Sequence, residues 1–365
     1  MRGSKRQMKL INTLVFALVM FLIPLLALNQ DAGNLQLLPV REPAQSAQTN
    51  NENRVPANSQ PQEGDPAEPA APHQTVELQD DGFQILDERT GELFSVSARD
   101  YVRGALAAEL PPTFHPEALK AQAVAAHTYA LNLKRLNAEG LGEERLNGAD
   151  LSADPLNWKS YTTEAVFRER YGELADAYWK TICDAADSVS AYLLTYEGEP
   201  IVAAYHSMSS GTTEDAANVW IGGKPYLVPV ESFGDTLAPD FVTTETFSAD
   251  EVAAALRGAC PDIQLGADPS GWFSVLERSQ GGYVTKLSAG DQQMHGKELR
   301  SLLDLRSSDF AISWDGAKFI FTVTGYGHGV GLSQYGADYM ARQGATFDEI
   351  LAHYYPGTTL AAIGQ

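Results

Sequence analysis

An uncharged apolar run from Leu10 to Leu28, preceded by Arg2, Lys5, Arg6 and Lys9, divides this chain before any fold is considered. As a helix the run is about long enough to cross a bilayer, so it belongs to lipid rather than to a water-facing core. A cleavable signal peptide shares the basic start and the apolar stretch, but it ends in small residues. This run ends in Leu25, Leu26, Ala27, Leu28 and Asn29. The reading is a retained signal-anchor over residues 10–28, single-pass in the cell membrane, with the basic flank 1–9 cytoplasmic and the remainder outside. Pro24 fits this reading, since spanning helices tolerate proline.

Residues 29–75 then read as a disordered linker. From Arg41 to Gln74 the chain is rich in Pro, Ala, Gln, Asn and Glu and nearly free of large apolar side chains, so it cannot bury enough to order itself. A flexible tether of roughly 45 residues has an end-to-end distance of about 35–40 Å, which lets a domain search a layer beyond the membrane. Without the four basic residues of the flank, 22 Lys+Arg face 47 Asp+Glu, so the outer part carries about −25. That charge argues against nucleic acid as a partner; its plainer role is solubility. Cys183 and Cys260 are the two cysteines. Export would place both where a disulfide persists, and a bridge and two free thiols both remain open. No CxxC spacing supports a cysteine zinc site.

The folded part is read as residues 76–365, a single α+β domain of helices packed with antiparallel β-hairpins. Strand-like patches fall at Phe83–Leu86 and Leu93–Val96. "YLLTYEGEPIVAAYH" and "FAISWDGAKFIFTVTG" each set two β-rich runs about a turn, at Gly198–Pro200 and at Asp315–Gly316. Ser97 followed by Asp100 predicts a capped helix that must stop by Pro111 and Pro112. Glu109 lies in its last turn and, on a 3.6-residue period, continues the apolar face of Val102 and Leu106. Burial there would raise its pKa and favour the protonated form that a general acid needs. Pattern alone equally allows an exposed or ion-paired carboxylate, which the helix dipole disfavours at this end.

A second helix is predicted from Pro116 to about Leu136, with Leu119, Ala123, Ala126, Ala130 and Leu133 as its stripe. Its small residues permit close packing on the first helix, placing Lys120, Gln122 and His127 near a shared cleft. Taken singly, each also reads as an ordinary surface or packing residue.

Three segments in order, "AAELPPTFHPEALKAQAVAAHTYAL", "AAYHSMSSGTTEDAANVW" and "GYGHGVGLSQYGADYMARQGATFDEILAHYYPGTTL", resemble the stage II sporulation protein D (SpoIID) family. With "KELRSLLDLRSSDF", the resemblance covers roughly residues 85–361. It implies a peptidoglycan lytic transglycosylase with Glu109 as catalytic acid and base. It also implies glycan strands as substrate, and an engulfment amidase and a membrane scaffold protein as partners during sporulation. No cofactor is implied. Such an enzyme makes 1,6-anhydro-muramyl ends without activating water, so it escapes the two-carboxylate requirement of common glycoside hydrolases.

Within the second motif, Tyr205, His206, Ser207 and Ser209, with Glu214 beyond, become candidates for binding sugar hydroxyls and N-acetyl groups. Turn chemistry in a Ser/Gly loop is the plainer alternative. The third motif offers His328 among four glycines, then Gln334 and Tyr335 where a helix should begin; a tight strand-to-helix connection would look the same. It lacks the GK[ST] ending of a phosphate loop. "HYYPGT" is expected to bury its aromatics.

Two departures from the family stand out. Some members bind zinc through a His and Cys cluster, but here Asp150, Ser152, Asn157 and Trp158 stand at those places, so no metal is expected. His127 stands where the family commonly has arginine, which would weaken substrate binding or make it pH-dependent. The competing class is a noncatalytic wall-binding enhancer of an amidase. A serine or cysteine hydrolase is disfavoured, since no G-x-S-x-G elbow occurs and Cys183 has no partner recognisable in the sequence.

Overall fold

The structure, a computed structural model, describes residues 75–364 apart from residue 79. The basic flank, the membrane anchor and the linker up to residue 74 lie outside the described residues. Among the described residues no helix is long and apolar enough to cross a membrane. Helices and mixed sheets make an α+β fold, as the hairpin and helix patterns predict.

A short strand β1 (Thr75–Val76) opens the fold, followed by the hairpin β2 (Phe83–Asp87) and β3 (Leu93–Val96). The first helix, α1 (Ala98–Glu109), starts where expected: Ser97 accepts the Asp100 N–H and donates its hydroxyl to the Asp100 carboxylate. It ends at Glu109, with the two prolines just beyond.

Helix α2 (Pro116–Ala138) is the spine of the domain. The predicted stripe understates it, for Ala118, Leu119 and every residue from Ala121 to Thr128 are buried. A run of alanines is what lets neighbours approach from all sides. Those neighbours include α1, the strand β4 (Leu151–Ala153), the helix α4 (Ala175–Ser188) that follows α3 (Glu164–Tyr171), and the strand β5 (Tyr192–Tyr196). Asp187 of α4 receives both Arg99 and Arg103 of α1, and these guanidiniums hold its carboxyl down at about 2.

The turn at Gly198 forms as predicted, but its second arm, β6 (Glu199–Pro200), is only two residues long. The chain then leaves the ladder and forms β7 (Tyr205–His206), which leads through α5 (Ala216–Val219) toward an insert. The insert comprises β8 (Val242–Ser248), α6 (Ala249–Ala259), β9 (Phe273–Arg278), β10 (Val284–Ala289), β11 (Gln292–Met294), α7 (Gly296–Leu303), β12 (Phe310–Trp314) and β13 (Lys318–Thr324). The second predicted hairpin is β12 with β13, in antiparallel register from Phe310↔Val323 to Trp314↔Phe319. Val252, Leu287, Phe310 and Phe321 of the insert pack in a hydrophobic cluster of their own.

The chain returns through β14 (Leu332–Ser333), α8 (Gln334–Arg342), α9 (Phe347–Tyr354) and β15 (Thr359–Ile363). Helices α8 and α9 pack on α2, and Tyr354 and Tyr355 are buried in the main core. Three pairings are parallel rather than antiparallel: β1 with β15, β2 with β4, and β7 with β14. The cysteines are both free thiols.

The β7–β14 pairing is tight enough to demand glycine. Gly331 has φ +74, and a Cβ there would overlap the Ala204 carbonyl oxygen. That oxygen already accepts from Leu332 N–H and from the Tyr355 hydroxyl, so it cannot retreat. Gly331→Ala is therefore expected to cost at least about 2 kcal/mol, read as a lowered urea midpoint at unchanged slope.

Candidate active site

Parallel pairing of β7 with β14 sets Tyr205 opposite Leu332 and His206 opposite Ser333. This brings the second and third sequence motifs side by side at the end of α1, where Glu109 sits. Gln334, the first residue of α8, hydrogen-bonds the Glu109 carboxylate. The ionised form of Glu109 is felt by the phenols of Tyr101 and Tyr205, whose pKa values rise, mainly through burial. Tyr335 follows Gln334 and meets Phe114 edge-on, with ring centroids 5.3 Å apart.

Surrounding protein desolvates Glu109, yet the residue stays partly accessible. Desolvation pushes its pKa up to about 7, and the Gln334 hydrogen bond opposes it. Both protonation states are thus populated near neutral pH, which suits a group that must give and then take a proton.

His206, His328 and Glu214 gather on the other side of β7. His206 is buried; its Nδ1–H donates to the Val330 carbonyl at 3.2 Å, while Nε2 has no partner. His328 Nδ1 accepts the Val330 N–H at 3.0 Å, and its ring hydrogen-bonds the Tyr205 backbone. Burial pushes His206 down to about 3 and His328 well below its ordinary value, so both imidazoles stay neutral. The Trp220 ring lies 5.1 Å from that of His328. Glu214 Oε1 accepts from Asp215 N–H and the Asn218 amide, and burial raises its pKa. The buried Ser279 hydroxyl lies at the other oxygen, Oε2, and its interaction opposes that rise.

Ser209 is wholly buried, and its hydroxyl and N–H both go to Asp235, at 2.5 and 2.7 Å. Ser333 donates to the other Asp235 oxygen at 2.5 Å. Ser207 offers its carbonyl to Tyr335 N–H. Lys120 is paired with Glu117 at 2.7 Å. His127 lies 3.1 Å from Asp80 and edge-on to Phe83, away from the Glu109 group. Gln122 is fully buried, and neither end of its amide has a partner.

At the four positions that replace a zinc cluster, the side chains have other work. Asp150 accepts Gln84 N–H, Ser152 donates to Glu88, Asn157 bonds Asp154, and Trp158 packs on Phe167 beneath the Arg170 guanidinium. They do not fit a metal. Among the described residues no group of three or more His, Cys, Asp or Glu is arranged to hold one.

Asp235 was invisible to sequence reasoning, since "ESFGDTLAP" reads as a surface loop and nothing in it signals a buried acid. Arg306, in "LDLRSSDF", is equally silent.

A family profile described as "Stage II sporulation protein" matches residues 87–196. Stage II sporulation protein D of Bacillus subtilis (strain 168) is 36% identical over 267 residues, covering 73% of this chain and 75% of that protein. Its counterpart in Bacillus amyloliquefaciens is 35% identical over 268 residues, with the same coverage of both chains. The chain belongs to the stage II sporulation protein D family. The Bacillus subtilis "Amidase enhancer" is a more distant relative, 26% identical over 309 residues, covering 72% of this chain and 40% of that protein. Within the SpoIID family profile lie α1, α2 and Glu109, whereas the loops that complete the Glu109 cleft come from beyond its end.

The raised pKa of Glu109 has a consequence for stability. The folded state holds its proton up to about pH 7, while the unfolded chain loses it near the ordinary value of 4.5. Stability therefore falls as pH rises through that window, by up to roughly 3 kcal/mol. Glu109→Gln removes the loss. Its unfolding free energy relative to wild type should increase by about 1–3 kcal/mol between pH 4 and pH 8; a flat difference would mean the carboxyl is solvated.

Proposed function

We propose that this SpoIID-family chain is a lytic transglycosylase that cuts peptidoglycan glycan strands, with Glu109 as both general acid and general base. One observation carries the reading: a desolvated, partly accessible carboxyl at the end of α1, held by Gln334 where the β7–β14 pairing brings the other two motifs together. Glu109-COOH would protonate the oxygen leaving C1 of N-acetylmuramic acid. The carboxylate left behind would take the proton of the C6 hydroxyl as that oxygen closes on C1. The products are a free 4-hydroxyl on one fragment and a 1,6-anhydro-muramyl end on the other, and the proton count closes without water. Positioned acid–base help of this kind is worth about 10²- to 10⁴-fold.

The neighbours suit this chemistry. Neutral His206 and His328 do not compete for the proton near pH 7. Tyr205 and Tyr335, both partly exposed, supply aromatic and hydroxyl surface for sugar rings. Ser209 acts through Asp235, shaping the loop that carries Tyr205. We place the domain outside the membrane, acting on peptide-stripped strands during engulfment in sporulation, with an amidase and a membrane scaffold protein as partners.

Relatedness to a protein named "Amidase enhancer" supports a second reading, a noncatalytic glycan-binding enhancer of an amidase. Glu109→Gln separates the two. On peptide-free glycan the wild type should release anhydro-muramyl ends, detected by mass spectrometry, and the variant should release them at least about 10²-fold more slowly. Retained stimulation of an amidase by a variant with no cleavage to lose would favour the enhancer. The wild-type rate should also fall as pH rises above about 7, following one ionisation, because the acid form starts the reaction.

A further inference from the structure

The insert sets a cation near Tyr335, the neighbour of Gln334. Arg306 follows α7, and its carbonyl accepts Gly327 N–H at 2.9 Å, which ties it to the glycine-rich loop. Its guanidinium lies 4.5 Å from the Tyr326 ring centroid and donates from Nη1 to the Asp240 carbonyl oxygen at 3.1 Å. Its charge is felt at the Tyr335 phenol, whose pKa it lowers against burial and against Asp240 and Asp338. Tyr335 adjoins Gln334, which in turn holds Glu109. Other cations of this end are spent: Lys120 on Glu117, Arg342 on Asp338. Asp338 is further committed to the His115 N–H. Arg306 is partly exposed and makes no ion pair among the described residues.

An arginine stacked on an aromatic ring has its planar fork fixed in advance, and that fork matches a carboxylate through two parallel hydrogen bonds. Such a cation is out of character in a chain of net charge −21, whose overall field repels anions, so local attraction has to do the binding. Muramic acid carries a lactyl carboxyl. With a stem peptide attached that carboxyl is a neutral amide; once the peptide is removed it is a carboxylate. We propose that Arg306 is a specificity-determining residue that binds the free lactyl carboxylate of a peptide-stripped muramic acid in the cleft. The inference rests on the reading of peptidoglycan glycan as the ligand, but not on cleavage.

The test is binding by the full chain in detergent, carrying Glu109→Gln so that no probe is consumed. Three probes are compared: peptide-free glycan oligomers, the same oligomers with their lactyl carboxyls converted to methylamides, and chitohexaose, which has no lactyl group. The peptide-free oligomer should bind about 10- to 100-fold more tightly than the methylamide, and Arg306→Gln should erase that ratio while leaving chitohexaose affinity unchanged. Arg306→Lys should restore part of it. Equal affinity of the unmodified Arg306 chain for oligomer and methylamide would overturn the proposal without any Arg306 variant having to fold. So would a ratio that survives Arg306→Gln. Selective binding with no cleavage by the wild-type chain would sink the transglycosylase reading and leave Arg306 in its role.

Discussion

A buried carboxylate holds the cleft together. Asp235, wholly inaccessible to solvent, accepts from the Ser209 N–H and hydroxyl on one oxygen and from the Ser333 hydroxyl on the other. Ser333 caps α8, and Ser209 lies just beyond β7, so one acid fixes the spacing of the two strands and aims the first residues of α8. Its setting raises its pKa through burial, while hydrogen bonds from Ser209, Ser333 and Ser232 oppose that rise. A charge-assisted bond of this sort is worth more than a neutral one, and a buried acid stripped of its donors is strongly destabilising. Gly336 completes the arrangement, since a side chain there would overlap the Ser232 and Tyr354 hydroxyls, themselves bonded at 2.7 Å.

What Asp235 fixes, Glu109 uses. The helix that ends at Glu109 is held on its outer face by Arg99 and Arg103 against Asp187, and on its inner face by the alanine-rich α2. The carboxyl is left pointing where the β7 and α8 residues converge. Two opposing effects set its proton affinity: desolvation raises it, and the Gln334 amide lowers it. Had the amide been absent, the carboxyl would hold its proton more tightly; had the site been open to water, it would be ionised at neutral pH. The balance is a property of three chain segments that meet only in the folded state.

That origin explains what could be read in advance. The cap at Ser97, the stop before Pro111, the start at Pro116 and the turn at Asp315–Gly316 are local effects of side chains on their own backbone, and they fall where local chemistry puts them. Glu109 could be placed on an apolar face by period, though its burial could not be decided from one helix. The parallel β7–β14 pairing joins residues more than a hundred positions apart, and no periodicity encodes it. Asp235 and Arg306 sit in segments with no repeating pattern, and their significance lies wholly in what they touch. His127 gave the opposite lesson: a motif set it beside the cleft, while the fold turns it to Asp80 and Phe83.

On the proposed reading, an acidic domain has to hold an anionic polymer through short-range donors rather than through its overall field, which salt screens beyond about 10 Å. Two donors stand out. Arg306 holds the Asp240 carbonyl through Nη1 and makes no ion pair among the described residues, and Gln122 is buried with an amide that meets no partner among them. A buried amide without a partner costs on the order of 1–3 kcal/mol unless water or a ligand satisfies it. Across β7, His206 Nε2 is also without a partner among the described residues, while Glu214 meets Ser279 of the insert, whose turn docks on the Ser210 loop. The insert thus does two things with one contact surface. Its Tyr283 hydroxyl accepts the Ser210 N–H and packs against Gly329 of the glycine-rich loop, and its Arg306 carbonyl accepts the Gly327 N–H. A change in how the insert seats would therefore alter binding at the rim before it altered the proton affinity of Glu109, because no insert group stands among the causes that set that carboxyl.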